Sequence, residues 1–233
     1  MSRSKVIDAD GHIIERSDEL RRYLKAPFNK RSGPLTASEP WDRDLQGTLP
    51  AHQQIFPRAP RAQDWLCVMD QYDIELAFLY PTSMGNVSRV REPDYAVALC
   101  EAYNDYVYDH YVKVSERLKP IAIIPPQDPA RAVIELRRAV KQLGYRAAVV
   151  RTTGLRLPLG HRFYDPIYRE AESLDCAIAV HGTNGGDELV SGAFRNVHRS
   201  SYGIVSGGNF RSVLQHGLSR SVGAISKTTA GFS

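Results

Sequence analysis

Short apolar runs recur along this chain, separated by longer stretches in which apolar residues take helical spacing. The runs cover residues 5–10, 74–79, 121–124, 146–150 and 176–180. The last four are nearly continuous in apolar character, as parallel strands covered on both faces should be. Between them, Trp65, Met69 and Tyr72 predict a helix over 61–72. Pro93 suits the first turn of a helix reaching about residue 117, with Leu99, Tyr103, Tyr106 and His110 on one core-facing side. Asp128-Pro129 places a capping carboxylate before a first-turn proline; Val133, Leu136, Val140 and Leu143 then share a face as far as Gly144, a helix stop. Asp165-Pro166 repeats that device for a helix ending near Leu174. Strands alternating with helices predict an α/β protein with a parallel sheet.

Two arrangements produce this alternation, a doubly wound sheet and a β/α barrel. The first strand-to-helix connection has no glycine-rich loop of the kind that cradles a phosphate. Two strands instead end in metal-type residues. In Val6-Ile7-Asp8-Ala9-Asp10-Gly11-His12 the residues Asp8, Asp10 and His12 alternate, which predicts one shared strand face. The run that starts at Cys176 delivers His181 at its end. A carboxylate oxygen and two imidazole nitrogens suit a borderline divalent metal, zinc foremost, with manganese as a second choice. A barrel puts its chemistry at the C-terminal ends of its strands. The expected fold is therefore a (β/α)8 TIM-barrel type, incomplete at about five strands. Asp10, His12 and His181 are the expected metal ligands. Asp8, deeper in the strand, is expected to bond backbone or neighbouring groups. Arg151 ends the fourth strand and is a candidate for a substrate carboxylate, since a guanidinium binds one through two parallel bonds. Glu15 reads as an exposed or helix-capping carboxylate.

Two stretches lie outside the alternation. Residues 16–64 are polar and hold six prolines without a clear period, as a substrate lid or an insertion would. From about residue 190 no further strand-helix unit is legible. Residues 196–233 contain eight serines and six glycines in 38 positions, and no acid follows Glu188. The expected division is 1–190 as the N-terminal part of a barrel and 191–233 as an unpatterned basic tail. A frameshifted reading or a truncated gene would produce such a tail; a disordered basic segment is the other reading.

Charge follows the same boundary. The chain carries 30 basic and 26 acidic residues, a net +4. Removing Arg195, Arg199, Arg211, Arg220 and Lys227 leaves 25 against 26, so residues 1–188 are nearly neutral. No basic stripe with interleaved aromatics remains, which argues against nucleic acid as a partner. No run has the length or apolarity of a signal peptide or a membrane span, and a cytoplasmic protein is expected. Cys67, Cys100 and Cys176 are too scattered for a disulfide framework or a metal knuckle. Cys67 and Cys176, in apolar surroundings, are expected to be buried.

Several motifs in this order resemble the amidohydrolase-related proteins of the aminocarboxymuconate-semialdehyde decarboxylase branch. They are Val6 to Glu15, Met69-Asp70-Gln71-Tyr72 with Leu79-Tyr80-Pro81-Thr82, and Tyr103-Asn104-Asp105-Tyr106. Arg117-Leu118-Lys119-Pro120, Pro125 to Pro129, Glu135 to Ala139, and Phe163-Tyr164-Asp165-Pro166 through His181 complete the set. The resemblance implies a β/α barrel with one divalent metal. Asp10-x-His12 takes the place of the first-strand carboxylate-x-His motif, and His181 that of the fifth-strand histidine. It also implies a sixth-strand histidine as acid/base and an eighth-strand aspartate as ligand. Neither is placed: His198 and His216 fall in the tail, and no aspartate follows Asp187.

The expected function is metal-dependent hydrolysis, with a metal-activated water attacking a small-molecule amide, ester or lactone. Non-oxidative decarboxylation of a small carboxylic acid is the second reading, and an inactive metal-binding barrel fragment the third. An open sheet edge would favour association with a second copy.

Overall fold

Each of the five predicted strands forms, and they pair in chain order. The structure is a computed structural model that describes residues 6–36, 59–151, 154–181 and, as backbone only, 203–205. β1 (Val6–Ile13) lies parallel to β2 (Ile74–Pro81), and β2 to β3 (Leu118–Pro120). β4 (Ala122–Ile123) lies parallel to β5 (Ala147–Arg151), and β5 to β6 (Ala177–His181). Only Ile121 separates β3 from β4. Its amide donates to the Leu79 carbonyl at 2.9 Å, so β3 and β4 act as one bent strand that carries the order from one sheet into the next. A doubly wound sheet reverses its strand order part-way, and a barrel does not. The fold is thus α/β of the TIM-barrel type, incomplete among the described residues, with His181 on its fifth strand.

The bend explains why the third strand is displaced from its predicted span of 121–124. Pro120 has no amide to donate, which interrupts the ladder. The Asn104 side chain then serves Ile123 as a neighbouring strand would. It accepts from the Ile123 amide at 3.0 Å and donates to the Ile123 carbonyl at 2.9 Å. Asn104 Nδ2 also reaches Glu135 at 2.6 Å, and Arg138 binds that same carboxylate through two nitrogens at 2.8 Å each. One buried polar network therefore ties two helices to the strand between them.

The helices are α1 (Ser17–Leu20), α2 (Ala62–Gln71), α3 (Pro93–Val107), α4 (Pro129–Leu143) and α5 (Asp165–Ser173). α4 is capped as expected: Asp128 accepts from the Arg131 amide at 3.1 Å, and Gly144 closes the helix at φ +76°. α3 ends ten residues earlier than predicted. It widens into a π-type turn over Tyr108–Val112, which rotates the residues that follow. Leu99, Tyr103 and Tyr106 are buried as expected, while His110 is exposed and rests on the Tyr106 ring, 4.6 Å between centroids. α5 differs in its start. Asp165 is its first helical residue rather than its cap, because the 3-10 turn Arg162–Tyr164 runs directly into it. His161 caps that turn by accepting from the Phe163 amide at 3.1 Å. Cys100 and Cys176 are buried, but Cys67 is exposed: helical rotation turns it outward although Leu66 and Val68 flank it.

The described parts of the 16–64 stretch are anchored. Leu20, Leu24 and Leu35 are buried in the main core. Residues 37–58, the middle of the expected lid, lie outside the described residues, as do most of the tail and the boundary at 190. Within the tail, β7 (Gly203–Val205) pairs antiparallel with β6, Ile178 opposite Val205. A completed barrel would have a parallel strand there. No helix among the described residues is long and apolar enough to cross a membrane.

Candidate metal centre

β1 reaches the site across a break in its register. Val6 pairs with Ile74 and His12 with Tyr80, the same spacing on both strands. Between those ends Asp8 pairs with Ala77 but Gly11 with Leu79, so β1 carries one extra residue there. β2 compensates with an extra residue between Ile74 and Leu76. The simple alternation predicted for Asp8, Asp10 and His12 does not survive a bulge, which re-aims the side chains around it. Asp8 turns to the backbone, as expected of it, and accepts from the Asp10 amide at 3.0 Å. Gly11 holds the bulge against the sheet. A Cβ there would stand 2.7 Å from Leu79 Cδ2 and 2.8 Å from Trp65 Cη2, so any larger residue would have to push both side chains aside.

Asp10 and His12, on either side of Gly11, meet His181 from β6. The three side chains each offer a ligand atom within 4.8 Å of the others. The two imidazole Nε2 atoms are 3.2 Å apart, and Asp10 Oδ1 lies 3.7 Å from His181 Nε2 and 3.9 Å from His12 Nε2. Two nitrogens held about 2.0–2.1 Å from one ion at a tetrahedral angle lie about 3.3 Å apart. The observed separation fits a shared ion. His181 is 5% exposed, whereas the Asp10 side chain is 49% exposed. The centre therefore has a dry wall at β6 and an open side at β1. All three residues stand towards the C-terminal ends of parallel strands, where a barrel places its chemistry.

Protonation favours metal binding at His12. Burial first, and the Arg151 charge second, push its imidazole down to about 4 from the ordinary 6.5; Asp8 and the Pro81 carbonyl offset part of this. It is neutral at pH 7, the form that ligates. Nδ1 lies 3.3 Å from Thr82 Oγ1 and the ring has the Pro81 carbonyl as a backbone partner, which leaves Nε2 for the ion. Burial raises the Asp10 carboxyl, with the Asp8 charge adding to it. The lowered His12 value has a stability consequence for the metal-free chain. The unfolded chain takes up the proton near 6.5 and the folded chain only near 4, so stability falls as pH drops through that window. We expect a loss of about 3 kcal/mol between pH 7 and pH 4 from this group alone. Urea unfolding at the two pH values, in wild type and in His12→Gln, checks it. An equal loss in both proteins would show that His12 is not the source.

Behind the three residues stands a loop held from two sides. The 3-10 turn Met84–Arg89 follows β2. Arg151, 2% exposed at the end of β5, donates to the Thr82 carbonyl at 2.9 Å, to the Pro81 carbonyl at 3.3 Å and to Asn86 Oδ1 at 3.1 Å. Gly85 admits the guanidinium, because a Cβ there would overlap it. The sequence offered Arg151 a substrate carboxylate; the structure gives both of its terminal nitrogens protein partners, and its charge bears on His12 from below. Glu15 is 3% exposed and accepts from the amides of Thr82 (2.9 Å), Ser83 (3.0 Å) and Met84 (3.2 Å), and from the Ser83 hydroxyl at 3.0 Å. It is a cap, as one of its two sequence readings held, but a buried one. Burial raises its carboxyl, and the backbone bonds pull the other way. Thr82 is the residue that sequence reasoning missed. Its place directly after Tyr80-Pro81 at a strand end was the available signal.

A family profile described as amidohydrolase, Amidohydro_2, matches residues 7–214. This chain belongs to that amidohydrolase family. The match runs beyond residue 190 into the stretch in which no pattern is legible. Among curated relatives, gamma-resorcylate decarboxylase of Rhodococcus jostii (strain RHA1) is 30% identical over 128 residues, covering 51% of this chain and 39% of the relative. The chain spans about two fifths of the length of the curated relatives it matches. Among solved structures, 5-carboxyvanillate decarboxylase of Novosphingobium aromaticivorans, with bound manganese, matches at a TM-score of 0.59 and 24% identity, over 76% of this chain and 50% of that one. Dihydroxybenzoic acid decarboxylase of Polaromonas sp. JS666, with manganese and 2-nitroresorcinol, matches at 0.54 and 20%, over 78% and 51%. These likenesses speak for the fold alone and agree with the barrel-type strand order.

Proposed function

We propose that this amidohydrolase-family chain holds one divalent metal through Asp10, His12 and His181 and serves the non-oxidative decarboxylation of a hydroxylated aromatic acid. The observation that carries the reading is the convergence of these three ligand atoms in a chain whose curated relatives are gamma-resorcylate decarboxylases. It reverses the order expected from sequence, where hydrolysis came first. A bound ion would supply positive charge to an oxygen of the substrate. His12 stays neutral and keeps Nε2 available. His181 closes the buried side. Asp10 is half exposed and marks the side from which a substrate would approach. Arg151 adds a fixed positive charge under the site, which favours an anionic substrate. In the reaction the ring carbon bearing the carboxylate takes a proton, the bond to the carboxylate breaks, and carbon dioxide leaves. The donor set accepts zinc or manganese; the manganese-bound neighbours bring manganese level with the zinc favoured by sequence.

The test is turnover by the metal-loaded 233-residue chain, with metal content measured alongside. 2,6-Dihydroxybenzoate and 5-carboxyvanillate report decarboxylation; 4-nitrophenyl acetate reports hydrolysis. Loss of aromatic acid with matching release of carbon dioxide, abolished in His12→Ala, is the expected result. Ester cleavage alone would restore the hydrolase reading. One bound metal with no turnover of either kind would identify a metal-binding barrel fragment.

A further inference from the structure

A cavity of about 420 Å³ is bordered by the end of the turn Met84–Arg89, and neither Arg151 nor any of the three metal-ligand candidates lines it. Its walls come from the loops that follow β2, β4 and β5, on the same end of the sheet as His181. Three arginines, Arg89, Arg91 and Arg156, reach its rim, and no carboxylate lines it among the described residues. Arg91 and Arg156 are exposed. The remaining surface is largely apolar, with Leu155, Leu157 and a Phe163 ring that is 41% exposed.

The walls are built parts of the fold. Gln127, from the loop before α4, donates its side-chain amide to the carbonyls of Val87 at 2.5 Å and Val90 at 2.9 Å, which locks the β2 loop to the β4 loop. Gly154, at φ +80°, lets the β5 loop close on Arg89: a Cβ there would stand 2.6 Å from Arg89 Cγ and 2.8 Å from Arg89 Cα. Three loops thus meet with fixed contacts and leave a space of ligand size. Its positive rim suits an anion. Its apolar body suits a ring or a branched hydrocarbon more than water or inorganic phosphate.

We propose that this cavity is a second binding site, separate from the metal centre, for a small carboxylate with an apolar, ring-sized body. The arginines hold the carboxylate at the rim, and Phe163 and the two leucines cover the ring. Binding here needs no metal, so the proposal stands or falls apart from the proposed activity.

The test is benzoate titration of the metal-free chain, read by calorimetry and by amide chemical shifts. Benzoate is expected to bind with a dissociation constant near ~1 mM or tighter. A His12→Ala/His181→Ala chain should bind it equally well, whereas Arg91→Ala/Arg156→Ala should weaken it at least about tenfold, in line with the loss of charge-assisted bonds. Benzyl alcohol and inorganic phosphate should each bind about tenfold more weakly than benzoate, one for want of charge and the other for want of an apolar body. Both arginines are exposed, so their removal is expected to leave the circular dichroism spectrum and the unfolding midpoint unchanged. Should the double variant unfold, Phe163→Ser provides the second reading, with weakened benzoate binding expected. Benzoate binding that survives the arginine changes, that depends on the metal-site histidines, or that phosphate matches would overturn the proposal. So would no benzoate binding at all.

Discussion

His181→Ala is expected to weaken binding of a divalent metal by at least about 100-fold, more than the same change at Asp10. Even a residue that only orients a metal ligand costs roughly 10–100-fold when removed, and His181 offers its own nitrogen 3.2 Å from that of His12. The difference from Asp10 follows from exposure. Asp10 stands half in solvent, where water can take the vacated position. His181 is buried on the β6 side, where water has less access to a vacated position. Calorimetric titration of zinc and of manganese into the metal-free variants would measure the ratio. Unchanged affinity in His181→Ala, with the fold intact by circular dichroism, would remove the Asp10, His12 and His181 cluster as the metal centre and with it the basis of the proposed activity.

The second large effect is on stability. Glu15→Ala is expected to destabilise the chain by about 3–5 kcal/mol, as for a buried charged group whose partners are left behind. The three amides of Thr82, Ser83 and Met84 all point at this one carboxylate, and alanine offers them nothing. Glu15→Gln retains a single acceptor oxygen and should lose about half as much. Urea unfolding of the three proteins at pH 7 gives the values. A loss under about 1 kcal/mol in Glu15→Ala would mean that the turn rearranges freely and that the carboxylate does not anchor it.

Residue patterns made the frame legible and left its joints obscure. Apolar runs located the second, fourth and fifth strands and part of the third because burial on both faces demands near-continuous hydrophobicity; β1, largely exposed at its start, was marked by its polar end instead. Asp128 and Gly144 marked a helix at both ends because caps are local chemistry. The bulge in β1 was not legible, since it is a relation between β1 and β2 and no residue within β1 states it. The early end of α3 was hidden for a similar reason: a wider turn keeps the same residue types and changes only their rotation. At the site, Asp10, His12 and His181 could be named because they are the rare metal-type residues at apolar strand ends. Arg151 was correctly placed at a strand end, but its partners are two backbone carbonyls and the Asn86 side chain some 65 residues away, which a sequence does not display. Glu15 was half legible: capping could be read, and burial depended on a loop some 70 residues away.

Thr82 joins what these parts do. Its hydroxyl lies against His12, its amide against Glu15 and its carbonyl against Arg151. Coupling through such a residue has to be reciprocal. If an ion at His12 steadies Thr82 and the turn that begins two residues later, whatever steadies that turn strengthens the hold on the ion by the same factor. Ser88 and Arg89, at the other end of the turn, border the arginine-rimmed cavity. Whatever effect a metal seated at His12 has on an anion seated there, the anion must have on the metal by the same factor, although the two share no contact.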